Sequence, residues 1–320
     1  MPVSGKPLRN PPQSIPDVPW RAERVSRLML GTAQLGLDYG IANTRGRPDL
    51  HAATAIVEAA WECGIRYFDT AQDYGESEAI LGRAFRELGI ADQARVESKL
   101  AASMDPAHRS AVEASIERTL ERLGVDRLWC MMLHRPSWLA SWDHGLGEVL
   151  CRYRDTGRIQ HLGVSMSRSR EARACVEHPD MEVFQVPCNA WDRRMQRLGV
   201  FETAAETGRL CCVRSIYLKG LLTLGPQAVA ERLPMAHQAS LRWQAVTERY
   251  GIPPVEMAVR YALTFGWPLV VGAESPGQVR DTARLAQLEP LTPEVVEALA
   301  EAIDPVVDET ILFPWHWENP

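Results

Sequence analysis

Residues 65–75 read IRYFDTAQDYG, in which a short apolar run typical of a β-strand ends at Asp69 and a polar loop carries Tyr74. Two similar runs follow along the chain. Residues 95–98 precede Lys99 and residues 127–133 precede His134, with helix-like stretches in between. If consecutive strands lie parallel in a closed barrel, their C-terminal ends meet at one face. The four polar side chains then become neighbours.

The alternation of strand and helix continues and predicts a single (β/α)8 TIM barrel, an α/β fold. Strands are predicted at residues 27–30, 66–68, 95–98, 127–133, 160–164, 183–186, 210–213 and 269–271. Helices are predicted at residues 51–63, 77–88, 106–123, 142–155, 168–177, 197–206, 236–249, 255–264 and 278–288. The helix at 106–123 has the clearest pattern, because apolar residues recur at helical spacing and Gly124 ends it.

An open, doubly wound Rossmann sheet is the alternative fold. That fold would place a Gly-x-Gly-x-x-Gly phosphate loop directly after its first strand. Residues 31–36 read GTAQLG, which lacks this pattern, and we expect a polar loop rather than a helix to follow. The closed barrel is therefore favoured.

Length and composition suit one folded domain with irregular ends. The chain has 320 residues, of which 46% are hydrophobic and 24% charged, enough for one barrel. We expect a Pro-rich irregular or disordered tail at residues 1–20, the barrel at 21–304 and an aromatic C-terminal tail at 305–320. The C-terminal tail, with FPWHW at residues 313–317, is a candidate lid over the pocket. Packing on the barrel wall or on a second subunit are the alternatives.

Several classes of protein are disfavoured by the same composition. The net charge of −6 and the lack of a basic block argue against nucleic acid as a partner. The N-terminus has no signal-peptide pattern, and no later run approaches the roughly 18 apolar residues of a membrane span. The seven cysteines are scattered and the histidines lack metal-ligand spacing, so we expect reduced thiols, a cytoplasmic location and no metal.

The four polar residues together have the chemistry of an acid catalyst for a carbonyl. A tyrosine hydroxyl has a reference pKa of ~10, so Tyr74 needs a neighbour that favours its phenolate, and Lys99 is the candidate. Asp69 would keep that lysine charged, and His134 could donate a hydrogen bond to a substrate carbonyl oxygen. The missing reactant is a hydride. Taken singly, each residue has another explanation. The loop at 69–75 could be only a turn, Lys99 a solvated loop lysine, and residues 134–136 the end of a strand.

Three segments resemble the aldo-keto reductase family. They are FDTAQDYGESE at 68–78 with Leu81-Gly82, Ser98-Lys99, and LHRP at 133–136, and the resemblance runs from about residue 27 to residue 287. It implies a barrel that binds a nicotinamide cofactor without a Rossmann domain and reduces aldehydes or ketones. By that resemblance Tyr74 is the general acid, Asp69 and Lys99 tune it, and His134 orients the carbonyl.

The resemblance also implies a cofactor site along the later strands. Ser165 and Gln185 match residues that hold the nicotinamide carboxamide, although Met166 stands where many members have asparagine. Arg214 occupies the position of an aromatic residue that stacks on the nicotinamide ring, and Lys219 could offset pyrophosphate charge. The full implied set is Gly31, Thr32, Asp69, Ser165, Gln185, Arg214, Ser215, Lys219, Gly272, Ser275, Gln278 and Asp281.

The cofactor is expected to be NADPH or NADH. Gly272 and Gln278 stand where many members have the cations that bind the 2′-phosphate, so the hypothesis is relaxed or NADH-leaning use. Pocket candidates for a small, sugar-like carbonyl compound are Gln34, Tyr39 and Trp191. A sugar or alcohol dehydrogenase using the same site and a non-catalytic cofactor-sensing subunit remain alternatives. A monomer or small homo-oligomer is expected.

Overall fold

A closed barrel of eight parallel strands forms the centre of the protein, as the sequence predicts. The computed structural model describes residues 15–167 and 172–317. The barrel strands are β3 (Leu28–Gly31), β4 (Tyr67–Asp69), β5 (Arg95–Lys99), β6 (Leu128–Leu133), β7 (Ile159–Ser165), β8 (Val183–Pro187), β9 (Leu210–Arg214) and β10 (Leu269–Gly272). They pair in sequence order, and β10 closes the barrel against β3.

Helices surround this barrel. They are α1 (Ala33–Gly36), α2 (Leu50–Glu62), α3 (Ser77–Leu88), α4 (Arg109–Leu123), α5 (Leu146–Asp155), α6 (Ala172–Glu177), α7 (Arg194–Arg197), α8 (Val200–Glu206), α9 (Pro226–Arg232), α10 (His237–Tyr250), α11 (Pro254–Leu263), α12 (Pro276–Leu285), α13 (Pro293–Ile303) and α14 (Glu309–Leu312). Several segments differ from prediction: α1 follows the first barrel strand where a loop was expected, a 3₁₀ segment at Pro136–His144 precedes α5, and α7, α9, α13 and α14 were not predicted. The first residues of the helix predicted at 168–177 lie outside the described part of the chain.

An antiparallel hairpin closes the N-terminal end of the barrel. It consists of β1 (Asp17–Trp20) and β2 (Glu23–Ser26). Residues 17–20 were expected to be irregular, and this expectation was wrong because Val18 and Trp20 alternate inward and are buried. The Trp20 ring packs edge-on against Trp129, with ring centroids 6.4 Å apart.

The strand register brings acidic residues together inside the barrel. Gly31 pairs with Asp69, and Asp69 pairs with Glu97 on the next strand. Alternate residues of a strand face the same side, so Glu97 and Lys99 both face inward. The polar residues of the barrel interior thus lie near its C-terminal end.

The C-terminal segment packs on a second apolar cluster beside the barrel. Ile311, Leu312 and Trp317 are buried there with Trp191 and Trp243. In the described part of the chain, no helix has both the length and the apolar character needed to cross a lipid bilayer.

Candidate active site

The loop after β4 carries Tyr74 over the barrel mouth, and two glycines fix its path. A Cβ on Gly36 would overlap the Tyr74 carbonyl oxygen. Gly75 has a φ of +56°, which residues other than glycine rarely adopt. Gln72 ties the same loop to α4, because its Nε2 donates to Thr119 Oγ1 at 2.9 Å. The tyrosine is therefore held by backbone contact and by hydrogen bonds.

Lys99 links Asp69 to Tyr74 at this mouth. The lysine is 1% exposed, and its ammonium group forms an ion pair with Asp69 and donates to the Thr70 carbonyl oxygen at 2.8 Å. Its Nζ lies 4.9 Å from the centroid of the Tyr74 ring. The structure thus brings the predicted aspartate, tyrosine and lysine into one contact network.

The ionisation of Tyr74 differs from the expectation. Burial raises the pKa of Tyr74, and although the Lys99 ammonium opposes this shift, the net direction is upward. A buried phenolate loses more hydration than one cation restores, because Asp69 already neutralises much of the ammonium charge. Tyr74 therefore holds its proton at neutral pH, as a proton donor requires.

His134 completes the group from the end of β6. Its ring and that of Tyr74 meet edge-on, with centroids 6.3 Å apart. Burial and then the Lys99 charge lower the pKa of His134 to about 4. Its Nδ1 lies 3.1 Å from Asp73 Oδ2 but outside hydrogen-bonding geometry. A neutral imidazole offers one donor and one acceptor to a ligand.

A cavity of about 110 Å³ opens beside these residues and has Asp69, Tyr74 and Arg214 in its wall. Gln34 and Tyr39 were predicted for the substrate pocket and also line it. The predicted cofactor residues in the wall are Gly31, Asp69, Arg214, Ser215, Lys219 and Gly272. Arg214 is held in place, because its Nη2 donates to the Met166 carbonyl oxygen at 2.6 Å.

A second cavity of about 200 Å³ adjoins the first, and the C-terminal segment forms one side of it. Tyr39, Arg214 and Lys219 line both cavities, while Phe313 and Trp315 line only the second of the two. The Phe313 and Trp315 rings stack, with centroids 4.5 Å apart. The predicted aromatic tail therefore lies against the barrel mouth.

Trp191 and Thr32 were predicted to contact the substrate and the cofactor, but both are buried and neither lines these two cavities. Trp191 is 2% exposed, packs edge-on against Trp243 and lines neither of these two cavities. Trp191 follows β8, as the sequence predicts. Its packing against Trp243 on α10 cannot be read from a linear pattern. Thr32 is fully buried, and its hydroxyl donates to the Asp69 carbonyl oxygen at 2.7 Å. We therefore assign Thr32 a role in holding the backbone of Asp69.

Gln185 and Glu97 form a buried layer beneath the cavity. Gln185 Nε2 donates to Asp69 Oδ1 at 2.6 Å and also to Glu97. The Gln185 Oε1 atom is buried and has no hydrogen-bond partner among the described residues. Ser165, the other predicted carboxamide contact, is also buried at the end of β7. Sequence reasoning missed Glu97, although its position two residues before Lys99 on a barrel strand predicts an inward side chain.

The start of α12 contains the remaining predicted cofactor residues. Ser275 caps the helix by accepting from Gln278 N at 3.3 Å, and Gln278 Oε1 accepts from Glu274 N at 2.6 Å. Both side chains are therefore used within the cap. Asp281 is exposed one turn further along the helix.

A sequence profile described as "Aldo/keto reductase family" matches residues 27–304. The chain belongs to the aldo/keto reductase family. It is thus an NAD(P)H-dependent oxidoreductase, and enzymes of this family act on small carbonyl compounds.

Relatives with known names agree with this family. The D-threo-aldose 1-dehydrogenase of Pseudomonas sp. is 26% identical over 81% of this chain and 91% of its own length. The aldo-keto reductase YhdN of Bacillus subtilis is 28% identical over 62% of this chain, and the match spans 60% of that protein. The structure of the aldo-keto reductase AKR11C1 from Bacillus halodurans, at 21% identity, superimposes with a TM-score of 0.75 over 93% of this chain and 100% of that one.

The residues present fit a nicotinamide dinucleotide. The unpartnered Gln185 Oε1 is an acceptor suited to the carboxamide NH₂ group. Arg214 and Lys219 have no acidic ion-pair partner within the described residues and could balance the charge of a pyrophosphate. Among those same residues, no group of three or more His, Cys, Asp or Glu side chains is arranged to hold a metal ion.

Proposed function

We propose that this enzyme transfers hydride between NAD(P)H and the carbonyl carbon of a sugar-like aldehyde or ketone, with Tyr74 as the general acid. The contact network of Asp69, Lys99 and Tyr74 at the cavity wall is the observation that supports this most strongly. A dinucleotide held by residues such as Arg214 and Lys219 would supply the hydride. The reaction also requires a proton for the carbonyl oxygen, and that proton comes from the Tyr74 hydroxyl.

Each residue of the group then has a separate task. Tyr74 gives its proton to the carbonyl oxygen and becomes a phenolate, which the adjacent Lys99 ammonium stabilises. Asp69 keeps Lys99 charged in a buried position. Neutral His134 donates a hydrogen bond that orients the carbonyl oxygen. In the reverse direction the same phenolate accepts the proton of an alcohol.

The test is a screen of aldoses, keto-sugars and aromatic aldehydes with each reduced cofactor, followed by absorbance of the reduced nicotinamide. We expect turnover of at least one polyhydroxylated carbonyl compound. Binding of the cofactor without turnover of any compound would instead favour a cofactor-sensing subunit. Oxidation of aldoses that is faster than reduction of the corresponding lactones would favour the dehydrogenase direction, the activity that the name of the Pseudomonas relative states.

For the cofactor, we propose relaxed or NADH-leaning use. Gln278 is turned back onto the backbone of Glu274, and Arg280 on the same helix pairs with Glu62 at 3.1 Å. Gly272 has no side chain, and a Cβ there would overlap the Gln34 amide. Two missing charge-assisted hydrogen bonds at about 1.5–3 kcal/mol each correspond to roughly 10² to 10⁴ in relative affinity for the 2′-phosphate.

The measurement is KM for NADH and NADPH on the purified enzyme, and a hundredfold preference for NADPH would contradict the proposal. Gln278→Arg is expected to lower KM for NADPH about tenfold and to leave KM for NADH unchanged. Gln287→Arg adds the same charge near the far end of that helix segment and serves as the matched control.

For the substrate, we propose that the second cavity receives the part of the molecule remote from the carbonyl. Trp315 is 53% exposed and stacked on Phe313, so it offers an aromatic face to a sugar ring. Trp315→Ala should raise the substrate KM several-fold, about 1 kcal/mol, with a smaller effect on kcat. Met235→Ala removes an exposed apolar side chain that lines neither cavity and is the control. An unchanged KM for every substrate would remove Trp315 from the site.

A further inference from the structure

A second carboxyl group lies in the barrel interior beneath the proposed catalytic residues. Glu97 is fully buried on β5, and Lys99 follows two residues later with its side chain on the same face. Oε1 of Glu97 accepts from Gln185 Nε2, and Oε2 has no hydrogen-bond partner among the described residues. The mechanism described above does not use this group.

The charges around Glu97 decide its protonation state. Lys99 is the cation that faces it, and the Lys99 ammonium is directed at Asp69 and the Thr70 carbonyl oxygen instead. Burial and the neighbouring Asp69 carboxylate raise the pKa of Glu97 well above its ordinary value. The thiols of Cys130 and Cys212 face the same space, and burial raises the pKa of each, so they remain neutral. One cation therefore balances one carboxylate, Asp69.

Glu97 also determines which end of the Gln185 amide remains free. The amide nitrogen has two hydrogens, and one is donated to Asp69 while the other is donated to Glu97. Both donors are thus used below the cavity. The carbonyl oxygen Oε1 is the one polar atom of this side chain left for a ligand.

We infer that Glu97 is a positioning residue that stays protonated during turnover and holds Gln185 with its carbonyl oxygen toward the carboxamide of the nicotinamide. This inference rests on the proposed function, because it assigns the ligand of Gln185. When Glu97 is protonated, the positive charge of Lys99 interacts mainly with Asp69 and Tyr74. An ionised Glu97 would compete for that charge and repel Asp69.

Two substitutions separate the hydrogen bond from the charge. Glu97→Leu removes the acceptor of Gln185, and we expect KM for the cofactor to rise about fivefold, the usual effect of one lost hydrogen bond, with a smaller change in kcat. Glu97→Gln is neutral and keeps a carbonyl oxygen, so we expect it to restore KM. A wild-type KM in Glu97→Leu, or a Glu97→Gln variant as impaired as Glu97→Leu, would overturn the inference.

A spectroscopic measurement keeps the inference testable if Glu97→Leu does not fold. A protonated carboxylic acid has an infrared carbonyl band that a carboxylate lacks, and we expect this band at neutral pH in the wild type and its loss in Glu97→Gln. The absence of the band in the wild type would show that Glu97 is ionised and would overturn the inference. This readout needs no substrate, so its failure is distinct from a failure of the wild-type enzyme to reduce any carbonyl.

Discussion

Each end of the barrel contains a histidine, half-buried at the mouth and buried at the closed end, and the pKa values of the two are shifted in opposite directions. At the mouth, burial and the Lys99 charge lower the pKa of His134 to about 4. At the closed end, His161 lies between two carboxylates, with Nε2 2.6 Å from Glu23 Oε1 and Nδ1 2.9 Å from Glu182 Oε2. These acids raise the pKa of His161 although burial opposes them.

Burial lowers the pKa of both histidines, so the opposite net shifts come from their charged neighbours. At the closed end both carboxylates have a further partner, since Glu182 also pairs with Arg21 of the hairpin and Glu23 accepts from Trp129 Nε1 at 2.9 Å. At the mouth, buried polar atoms on Gln185, Glu97 and Arg214 have no hydrogen-bond partner within residues 15–167 and 172–317. Unpartnered groups reduce stability and are available to a ligand. We therefore expect substitutions at the closed end to affect stability and substitutions at the mouth to affect activity.

The largest expected effect is on activity at the mouth. Tyr74→Phe should lower kcat/KM by about 10² to 10⁴ while the fold is retained, because general acid catalysis is lost. Initial rates and circular dichroism measure the two quantities. The control is Tyr250→Phe, which removes a hydroxyl that donates to Glu294 at 3.2 Å and lines neither cavity. Full turnover in Tyr74→Phe would end the proposal that Tyr74 is the acid.

The next effect is on stability at the closed end. His161→Leu leaves Glu23 and Glu182 facing one another without their shared partner. We expect the free energy of unfolding in denaturant to fall by about 2 kcal/mol, within the range for hydrogen bonds to charged groups, with kcat unchanged. The control His144→Leu, on an exposed residue, should stay within about 0.5 kcal/mol. A large loss of activity in His161→Leu would break the division between the two ends.

The two histidines should also show opposite pH dependence. The folded pKa of His161 lies above its unfolded value of ~6.5, so its contribution to stability is present below that pH and is lost as pH rises through the folded pKa. The folded pKa of His134 is about 4, so the unfolded chain binds the extra proton between that value and ~6.5, and stability rises with pH there.

The unfolding free energy of the wild type minus that of a histidine variant gives the contribution of that histidine to stability at each pH. The difference for His134→Gln should increase between pH 4 and ~6.5, and the difference for His161→Gln should decrease above ~6.5. Equal slopes for the two variants would contradict the comparison.

The features predicted from the sequence are those that local patterns encode. All eight barrel strands and the contact of Tyr74 with Lys99 follow from strand runs that end in polar residues at regular intervals. The hairpin was missed, because an inward alternation over four residues is hidden among prolines. The packing of Trp191 on Trp243 and the return of Gln278 to Glu274 depend on contacts that a linear pattern does not contain.

The described chain starts at one end of the barrel and finishes at the other. Ile15 precedes the hairpin at the closed end, whereas Trp315 borders the second cavity at the mouth. For immobilisation on a surface, attachment through the N-terminal side would turn the mouth toward solution and leave substrate access free. A carrier attached near residue 317 would lie beside the second cavity, where it would compete for space with the proposed substrate.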